Sequence, residues 1–237
     1  YVLAMRSIGK KLGTLKTEID SDGRIRCNIN VAGTDTGRLS SSRNDFGTGT
    51  NLQNIDKTIR APFIADPQMI LVECDLEQAD ARNVGAILWS RYHESHGPEV
   101  AGAYLDACES GDLHTAVVKM VWETDLEWSE DPAEWRSIAD QPFIEGKSYR
   151  DACKALSHGT NYYGQPPTMS KHTNISTPLI RDFQTRYFHS FPLIQQWHRD
   201  VIEEVSRFGV LTTVFGRRRL FFGRGNDSST WRAAIAY

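Results

Sequence analysis

Arg150, Lys154, His158 and Tyr162 recur at intervals of four in this chain. On a helix that spacing makes one slowly drifting stripe, about 40° per step. Two cations followed by two rings make a poor core face and a good anion grip. Guanidinium and ammonium can hold a polyphosphate by charge-assisted hydrogen bonds while the rings stack on a base and a sugar. Asp75 lies just beyond the apolar run Met69-Ile-Leu-Val72. A carboxylate delivered by a strand end is rigidly placed, which suits a hard divalent cation. His114 stands at an expected helix start, where unpaired N–H groups already favour anions. Arg38, Asn51, Gln53 and Asn54 are residue types that reach minor-groove acceptors and sugar-phosphate without reading base sequence. Arg82 and Arg232 are further candidates for that duty. Arg217, Arg218 and Arg219 would either hold a nucleic-acid backbone or tie their hairpin to its neighbours.

These residues need elements to carry them. Residues 24–31 alternate polar and apolar, predicting a half-buried strand with Ile25, Cys27, Ile29 and Val31 inward, ended by Gly33, Gly37 and the serines at 40–42. The run 69–72 reads as a more buried strand that delivers Asp75. Helical periodicity then takes over, with helices expected over about 77–92, 98–109 (Gly111 as the stop), 112–121 and 148–162. Another should begin at Ser176 or Thr177 with Pro178 as an early helical residue and stop near Pro192, which opens the next, to about Phe208. Residues 209–222 look like a hairpin with a basic tip. The stretch 124–146 reads as a connection without chemistry.

The 237 residues, 40% hydrophobic and 24% charged, suffice for one large domain or two modest ones. No run approaches a membrane span and no signal segment opens the chain, so a soluble, non-membrane protein is expected. Cys27, Cys74, Cys108 and Cys153 are scattered, with no CxxC spacing, which argues against a zinc ribbon or disulfide framework and for a reducing cytosol. The net charge of −3 is not that of a bulk nucleic-acid coat. Acidic residues crowd 123–134 and arginines crowd 217–224, and it is local field that attracts phosphate.

The stretch Thr34-Asp-Thr-Gly-Arg-Leu-Ser-Ser-Ser, then Asn51-Leu-Gln-Asn-Ile and Ile59-Arg60, precedes Asp75, Glu77, Gln78, Asp80 and Arg82, and after these come Arg150, Lys154 and Tyr162. In order and type these motifs resemble the polymerase domain of family A DNA polymerases, from about Leu12 to the last residue. The resemblance implies an α+β fold, a palm with an antiparallel sheet plus mostly helical fingers: 1–16 the end of a thumb, 17–85 the first part of the palm, 86–237 the fingers. It implies template-directed DNA synthesis by two magnesium ions, with Asp75 and the Leu76 carbonyl as ligands and Asp75, Arg150 and Lys154 as the catalytic set. Gln78, Asp80, His114, Arg150, Lys154, His158 and Tyr162 would bind the deoxynucleoside triphosphate. Arg38, Asn51, Gln53, Asn54, Arg82, Arg217, Arg218 and Arg232 would bind primer-template DNA.

The chain departs from the family pattern at His158, where Phe or Tyr is usual, at Tyr163, where glycine is expected, and at Asp80, where Glu is usual. The family's second catalytic aspartate lies in a His-Asp pair, and this chain has none. The expectation is therefore an incomplete polymerase domain of bacterial or phage type, inactive in isolation, completed by a further palm portion in the same or a companion chain and working in a bacterial or phage-infected cytoplasm. Two rivals remain: a single-subunit RNA polymerase, which the Asp80 carboxylate disfavours by obstructing a ribose 2′-hydroxyl, and a non-catalytic DNA-binding remnant, which would not need Asp75.

Overall fold

The computed structural model describes residues 2–144 and 146–237, and the chain forms two compact units, 1–75 and 76–237. The architecture is α+β: mostly helix, with three two-stranded antiparallel sheets among the described residues.

The first unit opens with α1 (Val2–Leu15) and contains one hairpin, β1 (Asn28–Asn30) against β2 (Ser40–Ser42), in the register Asn28↔Ser42, Ile29↔Ser41, Asn30↔Ser40. Its described residues include no buried apolar side chain. Polar ties hold it instead. Asp20 accepts from Thr48 Oγ1 at 2.5 Å and pairs with Arg26, which also takes Asp22 in a fork at 2.6 and 3.0 Å. Gly49 has φ +78°, and a Cβ there would sit 1.8 Å from the Arg26 carbonyl oxygen, so only glycine fits between these two loops.

Two strand expectations in this unit fail. Only Asn28–Asn30 of 24–31 is strand, and Ile29 and Val31 are 50 and 75% exposed, because the partner is three serines and no apolar layer covers the face. Residues 69–72 are not strand and are 68 to 83% exposed. A strand is completed by a neighbour's N–H and C=O groups, and among the described residues none pairs with this run. Glu73 anchors the segment instead, 2.6 Å from Arg60 and 3.6 Å from Lys57.

The second unit carries the core. α2 (Ala79–His96) and α3 (Pro98–Glu109) form a hairpin turning on Gly97 (φ +82°). α4 (Leu113–Val121) follows, capped by Asp112, then the short α5 (Trp135–Ala139) and the hairpin β3 (Pro142–Ile144) and β4 (Lys147–Ser148). α6 (Tyr149–Asn161) is capped by Ser148, whose hydroxyl accepts from Asp151 N. α7 (Pro166–Thr173), α8 (Thr177–Ser190) and α9 (Pro192–Phe208) each begin with proline in the first turn, where its missing N–H is harmless. β5 (Val210–Thr212) pairs with β6 (Arg218–Leu220), and α10 (Ser228–Ile235) ends the described structure's helices. The buried faces of α3, α4, α6, α8 and α9 meet in a core with Tyr104, Leu113, Leu156, Phe183, Tyr187 and Ile194 fully buried. A relay of rings runs through it, Trp122 to Phe183, Phe183 to Tyr187 and Tyr187 to Phe191, with centroids 5.3 to 5.4 Å apart. No helix among the described residues is long and apolar enough to cross a membrane.

Candidate active site

α6 exists where the four-residue stripe requires it. Its inner face, Ala152, Cys153, Leu156, Ser157 and Thr160, is buried, which leaves Lys154 and His158 exposed and Arg150 and Tyr162 half-buried on the outer side. The His158 and Tyr162 rings lie 4.8 Å apart at 59°.

Arg150 leans back onto α4. Its Nε donates to Asp112 Oδ2 at 2.7 Å and its Nη2 to Asp112 Oδ1 at 3.3 Å. The same carboxylate caps α4, accepting from His114 N at 3.2 Å and Thr115 Oγ1 at 2.9 Å. Burial opposes ionisation of Asp112, but the Arg150 and Thr115 hydrogen bonds and the Arg150 charge outweigh it and leave its pKa below the ordinary carboxylate value. Sequence reasoning used Asp112 only as a helix start; an Asp one residue before a helix and two before a histidine was the available signal. The stretch 124–146, read as a connection without chemistry, also brings Arg136 Nη1 to 3.9 Å from Asp112 Oδ2.

His114 faces this cationic cluster. Burial pushes its pKa down; Asp112 pulls the other way, while the charges of Arg150, Lys154 and His158 lower it further. Its Nδ1 is buried without a hydrogen-bond partner among the described residues. So is Gln78 Oε1, while Gln78 Nε2 donates to the Gly111 carbonyl at 3.2 Å, beside Asp112. Gln78 stands before α2 in left-handed backbone, φ 54°, and Asp80 lies in the first turn of that helix. His114 and Arg150 thus meet at the Asp112 carboxylate, and Gln78, just ahead of α2, reaches the neighbouring Gly111 carbonyl.

Other named residues are placed differently. Arg82 pins α2 to the end of α3, paired with Glu109 and 3.5 Å from the Cys108 carbonyl. Arg232 donates to Ser228 O, one turn back on its own helix, at 3.2 Å. Arg217 and Arg219 lie 6.0 and 5.6 Å from the centre of the Tyr237 ring, so two of the three hairpin arginines reach toward the end of α10, and exposed Arg218 alternates to the other face. In the first unit Asn51 Oδ1 accepts from Ser41 Oγ and from Gln53 N, tying the serine strand to the turn that exposes Gln53 and Asn54. Arg38 is exposed just ahead of that strand, and Asp75 and Leu76 are exposed where the two units join along the chain.

The likenesses to known proteins are extensive. DNA polymerase I, thermostable, of Thermus aquaticus is 30% identical over 203 residues, covering 83% of this chain and 21% of its own length. DNA polymerase I of Geobacillus stearothermophilus is 25% identical over 231 residues, covering 92% of this chain and 23% of its own length. The chain thus spans about a fifth of the curated relatives it matches. Among solved structures, the POL domain of Pol1 from M. smegmatis, in complex with DNA primer-template and dNTP, superposes with a TM-score of 0.68 at 25% identity, covering 99% of this chain and 38% of that one. The model of DNA polymerase family A matches residues 2–235, the span that holds both the Thr34–Ser42 motif and the α6 stripe, and this chain belongs to that family.

Proposed function

We propose that the protein carrying this chain copies DNA, transferring nucleotides from deoxynucleoside triphosphates to a primer 3′-hydroxyl. The carrying observation is the outer face of α6, a cation–cation–ring–ring stripe beside His114 in a chain of family A. Lys154 and the Arg150 donors that Asp112 leaves over grip the triphosphate, which arrives already countered in charge. His158 and Tyr162 stack on sugar and base. Arg38, Gln53 and Asn54 follow the primer-template duplex without selecting sequence. In this reading 1–16 belong to a thumb, 17–85 to a palm and 86–237 to fingers. The match to a DNA polymerase family favours this over an RNA polymerase.

Enzymes of this family are generally metal-dependent. The residues present fit magnesium, which is usually held by one or two carboxylates together with substrate phosphates and water, and Asp75 is an exposed hard oxygen donor of that kind. Asp75 and the Leu76 carbonyl would help hold two such ions, which when bound would lower the pKa of the primer hydroxyl and neutralise the triphosphate.

The test is primer extension by the full-length protein on a primed template. Asp75→Asn should abolish extension and leave affinity for primed DNA nearly unchanged. An unmutated protein that does not extend would defeat the reading, and a folded Asp75→Asn protein that loses DNA binding would show that the metal site lies elsewhere.

A further inference from the structure

The last turn of α6 is gripped from three other helices by groups that the proposed reaction does not use. Asn161 is buried, its Nδ2 donating to Tyr104 Oη on α3 at 2.8 Å and its Oδ1 accepting from Tyr187 Oη on α8 at 2.9 Å. The two phenol oxygens are 3.2 Å apart. Each phenol has one proton. With that of Tyr187 committed to Asn161, that of Tyr104 goes to Tyr187, and three bonds close into a ring that runs in one sense.

The backbone of the same residue is held independently. Buried His198 on α9 lies with Nε2 2.9 Å from the Asn161 carbonyl, and because a carbonyl has no proton to give, Nε2 is the protonated nitrogen. Just past the turn, Gln184 on α8 donates to the Gly164 carbonyl at 2.8 Å. Tyr162 sits between these anchors. Carbonyls of a helix's last turn ordinarily lack partners within the helix and fray toward water. An apolar contact would tolerate sliding, whereas hydrogen bonds of this length and direction admit one backbone position.

We infer that Asn161 and His198 are positioning residues, which set the height and rotation of Tyr162 over the nucleotide sugar from helices that never touch the nucleotide. The inference rests on the nucleotide-facing role of α6 given above. Tyr162 enters it because Asn161 is its immediate neighbour, so a shift of that backbone moves the phenol directly.

Single-nucleotide insertion by the full-length protein tests it, with His198→Leu, His198→Gln and Tyr187→Phe. Misplacement by a fraction of an ångström should raise KM for the deoxynucleotide roughly tenfold in His198→Leu and Tyr187→Phe. The ratio of ribo- to deoxynucleotide insertion should change with it, at unchanged affinity for DNA. His198→Gln, which keeps a donor, should recover most of the parental KM. Tyr187→Phe removes a single oxygen, so it carries the test if His198→Leu does not fold. Variants that melt at lower temperature yet keep the parental KM and insertion ratio would overturn the inference and leave a merely structural network. Absence of extension by the unmutated protein overturns the polymerase reading as well, whereas normal extension with unmoved variants overturns this inference alone.

Discussion

Arg150 on α6 holds Asp112, the cap of α4, through two hydrogen bonds of 2.7 and 3.3 Å. One carboxylate therefore fixes the start of one helix and aims the arginine of another. Of the five N–H donors on a guanidinium, Asp112 takes two and the others can serve a phosphate.

Asp112→Ala should remove a helix cap and strand a half-buried guanidinium. The two losses together amount to about 2–4 kcal/mol. Urea denaturation should show the midpoint falling with the slope unchanged. A loss under about 1 kcal/mol would mean that water replaces Asp112 at both jobs.

His198 gives the protein an acid-sensitive core. Burial pushes its pKa from 6.5 down to about 4, partly offset by the Asn161 carbonyl. Between those values the unfolded chain binds a proton that the folded chain refuses, so the stability held above pH 6.5 is lost as pH falls toward 4. The loss reaches about 3 kcal/mol at most. His198→Gln should flatten this part of a stability–pH curve; an unchanged slope would assign the effect to other groups.

Under the proposed function, the carboxylate of Asp80, in the first turn of α2, would obstruct a ribose 2′-hydroxyl. It is one methylene shorter than Glu, a retreat of about 1.5 Å, comparable to the room a hydroxyl needs. Asp80→Glu should therefore tighten discrimination against ribonucleotides, read by competitive insertion on one template. An active variant with parental discrimination would contradict a loose gate.

Tyr163 occupies left-handed backbone, φ 58°, a conformation that glycine adopts without strain. Its ring packs edge-on against His198, with centroids 5.4 Å apart. Tyr163→Gly relieves about 1 kcal/mol of backbone strain but forfeits about 2–3 kcal/mol of partly buried ring contact. The net expectation is a destabilisation of about 1–2 kcal/mol in denaturant titration, and a more stable variant would show that strain outweighs packing.

Helices α2, α3, α4, α6, α8 and α9 were legible because their signals are local, whereas α7 was not expected and α5 lies in a stretch read as a connection. Proline in the first turns of α3, α8 and α9 and Gly209 after Phe208 mark their ends, and the stripe on α6 is read directly from its spacing of four. The 209–222 hairpin was legible and forms as β5 against β6, but the strands expected at 24–31 and 69–72 were not, since alternation and an apolar run say nothing about what stands beside them. Asp112 was half visible, as the start of a helix but not as its cap or as the partner of an arginine 38 positions on. The Tyr104–Asn161–Tyr187 ring was invisible, for its members lie on three helices and none is unusual alone.

The described residues of 1–75 lack an apolar core, which has a consequence for how the molecule opens. Hydrogen bonds and surface ion pairs add little net free energy against the conformational freedom that ordering removes. Amide protons there should exchange with solvent through openings of near-zero free energy, while those of α6, α8 and α9 wait for the second unit to unfold. A protease added sparingly should cut first between α1 and Asp75 and leave a resistant core beginning near Ala79. The motif Thr34–Ser42 and the turn with Gln53 and Asn54 would then be surfaces that order on a ligand at some entropic expense, trading affinity for the capacity to let go and move along.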